Sequence, residues 1–333
     1  MSCRAFAGVQ PHEGLADVLL RRSRPLMGTL VGVAVRGDDA NVIEGVIRSV
    51  FAEMERLEAM LSEWRPDSAV SQVNQSAGKV PVQVPFELIE IMEIADQVSL
   101  ASHGAFDCTW AALSEAWRLD DPNFRPPPPK IVASARKLVS YRDIVVDLEA
   151  QTVFLRRPGM RLGLGGIAKA AIAERAADLA VASGVHHILI DAGGDLVARG
   201  RQGERPWTVG IRDPRSASHL LATLELHDEV IATSGDYEHF VAIEGQRYHH
   251  LLDPRTGTPA SASRSATVIA RNGALAEALS TALFVLGVQG LEMLSAFPNT
   301  AALLVDSEGN VHTSSRSMVS LGAPRAPNGL KPT

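Results

Sequence analysis

Apolar positions recur along this chain in two rhythms. In "ANVIEGVIRSVFAEMERLEAML" (40–61), Val42, Val46, Val50, Met54, Leu57 and Leu61 return every three or four residues. That spacing predicts an amphipathic helix, with Asp38 or Asp39 placed to cap it. "FELIEIMEIADQVSLASHG" predicts a second helix stopped at Gly104, and "GGIAKAAIAERAADLAVASG" a third entered through glycines. "ALAEALSTALFVLG" is apolar almost all round and predicts a buried helix. The short runs "TLVGVAV", "HILI", "WTVGIRDP", "LLATLEL" and "SATVIAR" predict strands. "DIVVDLEAQTVFLRR" and "HFVAIEGQRYHHLL" read as hairpins turning at 149–151 and 244–246. "SEWRPDSAVSQVNQSAG" is polar and turn-rich and reads as loop. "DDPNFRPPPPK" (120–130) reads as an extended surface excursion, because four successive prolines lack backbone donors. Strands and helices mix without a βαβ period, so the fold class is α+β rather than a doubly wound sheet.

Composition narrows the function. Of 333 residues, 46% are hydrophobic and 21% charged, the balance of an ordinary globular protein. The net charge is -6 with Lys and Arg scattered, which argues against a nucleic-acid partner. Two cysteines, Cys3 and Cys108, exclude a disulfide framework and a cysteine-based zinc motif. The first apolar stretch, "AFAGV", is shorter than the roughly seven residues an export signal needs. The longest apolar run contains Glu277 and is too short for a bilayer. The expectation is no membrane span and a cytoplasmic location.

Several polar clusters interrupt the apolar pattern. "RLGLGGIAKA" sets Gly163, Gly165 and Gly166 before a helix, with Lys169 in its first turn. Such a stretch is either an anion cradle or a tight turn with a solvated lysine. It matches neither GxGxxG nor a P-loop. "DAGGD" (191–195) either lets the backbone approach a ligand closely or simply turns a hairpin. "IATSGDYEHF" puts Thr233, Ser234 and Gly235 at a strand end, without a serine-hydrolase elbow. In "HHLLDPRTGTP", His249 and His250 fall on opposite faces if 247–252 is a strand, so one is free for a site. Glu277 and Thr281 stand four apart on one helix face, a weak hard-cation site or an isolated polar pair.

Taken in order, "MGTLVGV", "SEWRPDSAVSQVN", "GAFDCTW", "LGLGGIAKA", "DAGGD", "WTVGIRDP", "IATSGDYEHF", "HHLLDPRTGTP" and "AEALSTALFVLG" resemble the blocks of the ApbE family of FAD:protein FMN transferases, over about residues 25 to 305. The resemblance implies an ApbE-like, T-fold-related α+β domain over 25–318, with mixed sheets, packed helices and a flavin cleft between two lobes. An extension, 1–24, and a tail, 319–333, flank it. It implies Mg²⁺-dependent transfer of FMN from FAD to a threonine or serine hydroxyl of a target flavoprotein, with AMP leaving. FAD is then the substrate, Mg²⁺ the cofactor and the acceptor flavoprotein the partner.

Residue by residue, the resemblance assigns FAD contacts to Met27, Trp64, Ala105, Phe106, Asp107 and Lys169, with Thr233, Ser234 and Gly235 lining the same cleft. It assigns Mg²⁺ a backbone oxygen at Gly166 and side-chain ligands at Glu277 and Thr281. His250 and Asp253 fall beside the reacting phosphates as the catalytic pair. His250 is the preferred base for the attacking hydroxyl, since an imidazole of pKa roughly 6.5 suits that task. Asp253 either orients it or holds the cation, and Arg255 either neutralises phosphate charge or braces the turn.

Departures from the family pattern stand at Glu277, where an aspartate is usual, and at Gly163, Ala170, Ala171 and Glu174 in the glycine block. The extra methylene of Glu277 matters because Mg²⁺ bonds, at ~2.0–2.1 Å, tolerate little error. Two other functions are therefore carried beside transfer: an FAD pyrophosphatase yielding FMN and AMP, and a non-catalytic flavin-binding protein.

Overall fold

Strands β1 (Val18–Leu26) and β2 (Thr29–Gly37) pair along their full length. Met27 and Gly28 close the hairpin at φ 53° and 69°, the left-handed pair that a two-residue turn requires. The computed structural model describes residues 18–314. Cys3, the stretch read for an export signal and the boundary at 318 lie outside the described residues. The sheet takes in 18–24, which the sequence reading placed in an extension; alternation in "VLLRRSRPL" is broken by three arginines and hides the strand.

Helix α1 (Ala40–Leu61) starts where the Asp39 side chain accepts from the Asn41 and Val42 amides. Its buried stripe includes Ile43, Val46, Ile47, Val50, Met54, Leu57 and Leu61, while Val42 faces solvent. The expected loop after it holds a short helix, α2 (Ala69–Gln75), because Ser68 caps it and Val70 and Val73 find buried positions. Strand β3 (Val82–Gln83) and helix α3 (Phe86–Ala101) follow, then α4 (Ala111–Trp117) and α5 (Pro129–Arg136). The proline run is thus only partly irregular. Pro129 opens α5, where a missing amide proton costs nothing.

Strands β4 (Ile144–Asp147) and β5 (Thr152–Leu155) form the expected hairpin and join β3 in a small sheet. Next come α6 (Ala168–Ala182), β6 (His187–Ala192), β7 (Asp195–Arg199), β8 (Trp207–Asp213), β9 (Ser216–Leu226) and β10 (Val230–Gly235). The hairpin β11 (Phe240–Ile243) and β12 (Gln246–His249) leads to the short pair β13 (Leu252–Asp253) and β14 (Thr258–Pro259). The described chain closes with β15 (Ser263–Ala270), α7 (Gly273–Leu286), β16 (Ala301–Asp306) and β17 (Val311–Thr313).

Eight strands, in the order β1-β2-β6-β7-β10-β15-β16-β17, make one sheet in which every neighbouring pair is antiparallel. Alternate residues serve different layers. Val31, Val33, Val35, Val230, Ala232, Val268 and Leu304 pack beneath α1, α3, α6 and α7. Ala34, Ile231, Ile269, Leu303 and Val305 face the other way, onto Trp207, Ile211 and Leu224 of the β8–β9 hairpin. A separate small core of Leu113, Trp117, Phe124, Val132 and Leu252 ties α4 and α5 to the β11–β12 hairpin. That second lobe is pinned by Trp117 Nε1, which donates to the Gly257 carbonyl at 2.8 Å.

Helix α7 runs under the centre of the sheet. Contrary to the expectation from its sequence, the segment Gly273–Ala296 is long and apolar enough to cross a membrane; 67% of its apolar window is buried within the protein, as a core helix requires. Cys108 is buried, and burial pushes its thiol pKa up, so it is unreactive.

Candidate active site

Between the two lobes lies a cleft of about 1220 Å³. Pockets for small ligands usually enclose roughly 300–1,000 Å³, so this one suits a dinucleotide. The β1–β2 turn, the glycine turn before α6, the ends of β7 and β10, and one face of α7 line the larger lobe's side; α4 and the segment after β12 line the other.

At its base, three charged side chains meet. Lys169 Nζ lies 2.9 Å from Glu277 Oε1 and in closer contact with Asp195 Oδ2. Glu277 Oε2 accepts the Ala170 amide at 2.8 Å. The residue before α6, Ile167, offers no side-chain cap, so Glu277 reaches across from α7 to satisfy a first-turn donor. The Asp195 and Glu277 side chains are only 3% and 4% exposed, whereas Lys169 keeps 33% of its side chain open to the cleft. Burial lowers the lysine pKa, but the two carboxylates outweigh it and hold it above the usual value. Burial pushes the Glu277 carboxyl upward, against the pull of Lys169 and with help from Asp195. One ammonium shared by two carboxylates leaves the cluster with one negative charge in excess.

Hydroxyls crowd beside it. Ser234 Oγ lies 3.0 Å from Ser280 Oγ and 3.2 Å from Thr281 Oγ1. Gly166 packs so close to Thr281 that an added Cβ would stand 3.1 Å from its Oγ1. Among the described residues, no three His, Cys, Asp or Glu side chains gather as a metal site. Mg²⁺ does not require that: it commonly takes one or two carboxylates, with waters and substrate phosphates completing the shell. Glu277, the Thr281 hydroxyl and the Gly166 main chain are hard oxygen donors on one wall with excess negative charge, so the residues fit the ion.

The two adjacent histidines part company. Strand β12 ends at His249, whose Nε2 is 2.9 Å from the Ala260 carbonyl and whose ring meets Phe284 edge-on. His250 turns into the cleft. Its Nδ1 lies 3.2 Å from the His239 carbonyl, and its ring packs at right angles to His239. Donation from Nδ1 leaves the Nε2 lone pair free. Burial pushes the His250 pKa down to about 4, so the imidazole is neutral at pH 7.

Asp253 is engaged by its own turn. Its carboxylate is taken by Arg255, from the main-chain amide at 2.9 Å and from the guanidinium at 2.9 and 2.8 Å. Its carbonyl accepts the Thr256 and Gly257 amides. Asp253 builds the turn and does not line the cleft, although Leu252 and Pro254 do. Arg255 likewise braces that turn. Asp107 lines the cleft, but its oxygens hold the Thr109 amide and hydroxyl and the Tyr141 amide, so it is chiefly a scaffold.

The other expected contacts do converge. Met27, Ala105, Phe106, Lys169, Thr233, Ser234 and Gly235 all line the cleft, and Trp64, 75% exposed, stands at its rim. The Met27 amide donates to Glu58 Oε1 at 3.0 Å, which fixes the turn at the mouth. Thr233 gives its amide to Asp195, and its hydroxyl lies 3.0 Å from that of Thr267. Sequence reasoning passed over Glu58, Glu63, Trp110, Asp195 and His239 as site residues. Glu63, Trp110, Asp195 and His239 lie in the motif blocks quoted above, so only Glu58 carried no signal.

A cleft that pairs a neutral imidazole with a lysine at a helix N-terminus is equipped to take a proton and to face a phosphorylated ligand. The chain is, by fold and site, a group-transfer enzyme of the α+β class. It belongs to the ApbE family, whose model matches residues 27–304. A FAD:protein FMN transferase of Treponema pallidum is 32% identical over 311 residues, covering 88% of this chain and 86% of the relative. One from Klebsiella pneumoniae is 31% identical, covering 80% and 82%. Among solved structures, the ApbE protein of Thermotoga maritima superposes with a TM-score of 0.82 at 30% identity, covering 90% of this chain and 97% of the other. Apo flavinyl transferase ApbE from Pseudomonas stutzeri gives 0.80 at 29% identity, covering 92% and 97%.

Proposed function

We propose that this protein transfers FMN from FAD to a threonine or serine hydroxyl of an acceptor flavoprotein, with Mg²⁺ bound and AMP released. The observation that carries the reading is that the Lys169–Glu277 pair and the neutral His250 open onto one dinucleotide-sized cleft. The acceptor oxygen attacks the phosphorus on the FMN side of the pyrophosphate. The bond from that phosphorus to the AMP oxygen breaks, and AMP departs with the electron pair. The hydroxyl proton goes to His250 Nε2, the free lone pair. Lys169, a third open to the cleft, offsets charge on the phosphates. Mg²⁺, held by Glu277, Thr281 and Gly166, would neutralise pyrophosphate charge when bound.

Incubation with FAD, Mg²⁺ and a candidate acceptor flavoprotein tests the reading. Acceptor that gains one FMN by mass, with one AMP released per FMN, is the expected result. Free FMN and AMP without labelled acceptor would identify a pyrophosphatase, and neither product a flavin-binding protein.

A further inference from the structure

Glu63 stands on the cleft wall and takes no part in the chemistry above. It lies between Ser62, which ends α1, and exposed Trp64. Its Oε2 receives one long hydrogen bond, from the Leu164 amide at 3.4 Å. Its Oε1 lies 3.9 Å from where a Cβ of Gly165 would be. Burial raises its pKa, and hydrogen bonds from the Glu63 and Leu164 main-chain amides, with Arg161 nearby, only partly offset that. A largely desolvated carboxyl held by main-chain amides alone keeps acceptor capacity for a ligand in the cleft.

The glycine turn explains why the acid comes from position 63. A side chain at Gly163 would meet Ala111 Cβ at 2.9 Å and the Trp110 indole at 3.1 Å. The indole Nε1 also donates to the Gly163 carbonyl at 2.9 Å. The turn is packed shut against Trp110 and has no room for an acid of its own. Glu63 reaches the cleft side of that turn from another element. Trp64 and Trp110 line the same cleft, so the carboxyl sits among flat apolar surfaces.

We propose that Glu63 reads a heteroaromatic ring edge, its carboxyl accepting a hydrogen bond from an edge N–H, imide or exocyclic amino, that stands beside an acceptor atom. The inference rests on FAD being the substrate. FAD offers such an edge twice, at the imide of its isoalloxazine and at the amino-pyrimidine edge of its adenine. A site built to bond a polar edge discriminates strongly against ligands that lack it.

The experiment compares binding of FAD, FMN and ADP to the intact protein and to its Glu63→Ala and Glu63→Gln variants, with melting temperatures recorded. Glu63→Ala should weaken FAD about tenfold or more. It should weaken only one of the two half-ligands: loss of FMN affinity assigns the isoalloxazine, loss of ADP affinity the adenine. Glu63→Gln, whose amide keeps an acceptor beside a donor, should recover most of the affinity. Unchanged FAD binding in Glu63→Ala, equal loss of FMN and ADP, or a Gln variant as weak as Ala would each overturn the assignment. An unsubstituted protein that neither binds FAD nor transfers FMN would sink the transferase reading itself. One that does both while Glu63→Ala matches it sinks only this inference.

Discussion

His249 and His250 are neighbours in the chain, yet one is sealed against Phe284 and the Ala260 carbonyl while the other opens into the cleft beside His239. Their substitutions should therefore separate. His250→Ala removes the proton acceptor and should cut FMN transfer about a hundredfold or more while FAD still binds. His249→Ala should cost about 1–3 kcal/mol of stability, from a buried hydrogen bond and a ring contact, and leave the rate per folded molecule near normal. Matching kinetics in the two variants would move the base elsewhere.

The pH dependence follows from the same imidazole. A base must be unprotonated to act, and burial holds His250 neutral until pH falls to about 4. The acid limb of kcat/KM should lie near pH 4, well below the roughly 6.5 of a free imidazole. Because the folded pKa is depressed, the unfolded chain binds more protons between these values. Stability from this group is complete above pH 6.5 and is lost as pH falls toward 4. Rate profiles and melting curves over pH 3.5–8, on the order of ten points each, would check both statements. A limb at 6.5 contradicts the assignment.

Glu277→Gln preserves the acceptor for the Ala170 amide but removes the charge that faces Lys169. The fold should persist. The Mg²⁺ concentration for half-maximal transfer should rise about tenfold or more, since a hard cation loses its carboxylate. A titration indistinguishable from the parent protein's would exclude Glu277 from the metal shell.

Asp253→Asn leaves Arg255 without its bidentate partner. The expected cost is about 1–3 kcal/mol in urea unfolding, with transfer changed only a few-fold. A hundredfold loss of rate at unchanged stability would restore Asp253 to the chemistry.

Gly163→Asp puts a side chain into space already held by Ala111 and Trp110. Overpacking of this kind should destabilise by about 1–3 kcal/mol. An unchanged unfolding midpoint would show that the indole can swing aside.

Local pattern decided much of this molecule in advance. The stripe of α1, the all-round apolarity of α7 and the turn residues of the β4–β5 and β11–β12 hairpins are short-range signals, and those elements form where they predict. The ordered blocks from Met27 to Thr281 likewise pointed to the residues that now share a cleft. What periodicity could not carry was partnership. β1 is a strand because β2 pairs with it, α2 because Ser68 caps it over buried Val70 and Val73, and α5 because its first turn needs no amide from Pro129. Asp253 pairs with a guanidinium two residues away, a contact that sequence spacing allowed but did not announce. Asp195, Lys169 and Glu277 come from β7, α6 and α7, and only the packing of those helices on the sheet brings two buried carboxylates to one ammonium. A charge in an apolar helix must find a partner, since burial alone is so costly. The sequence states that need, and the tertiary fold supplies the partner.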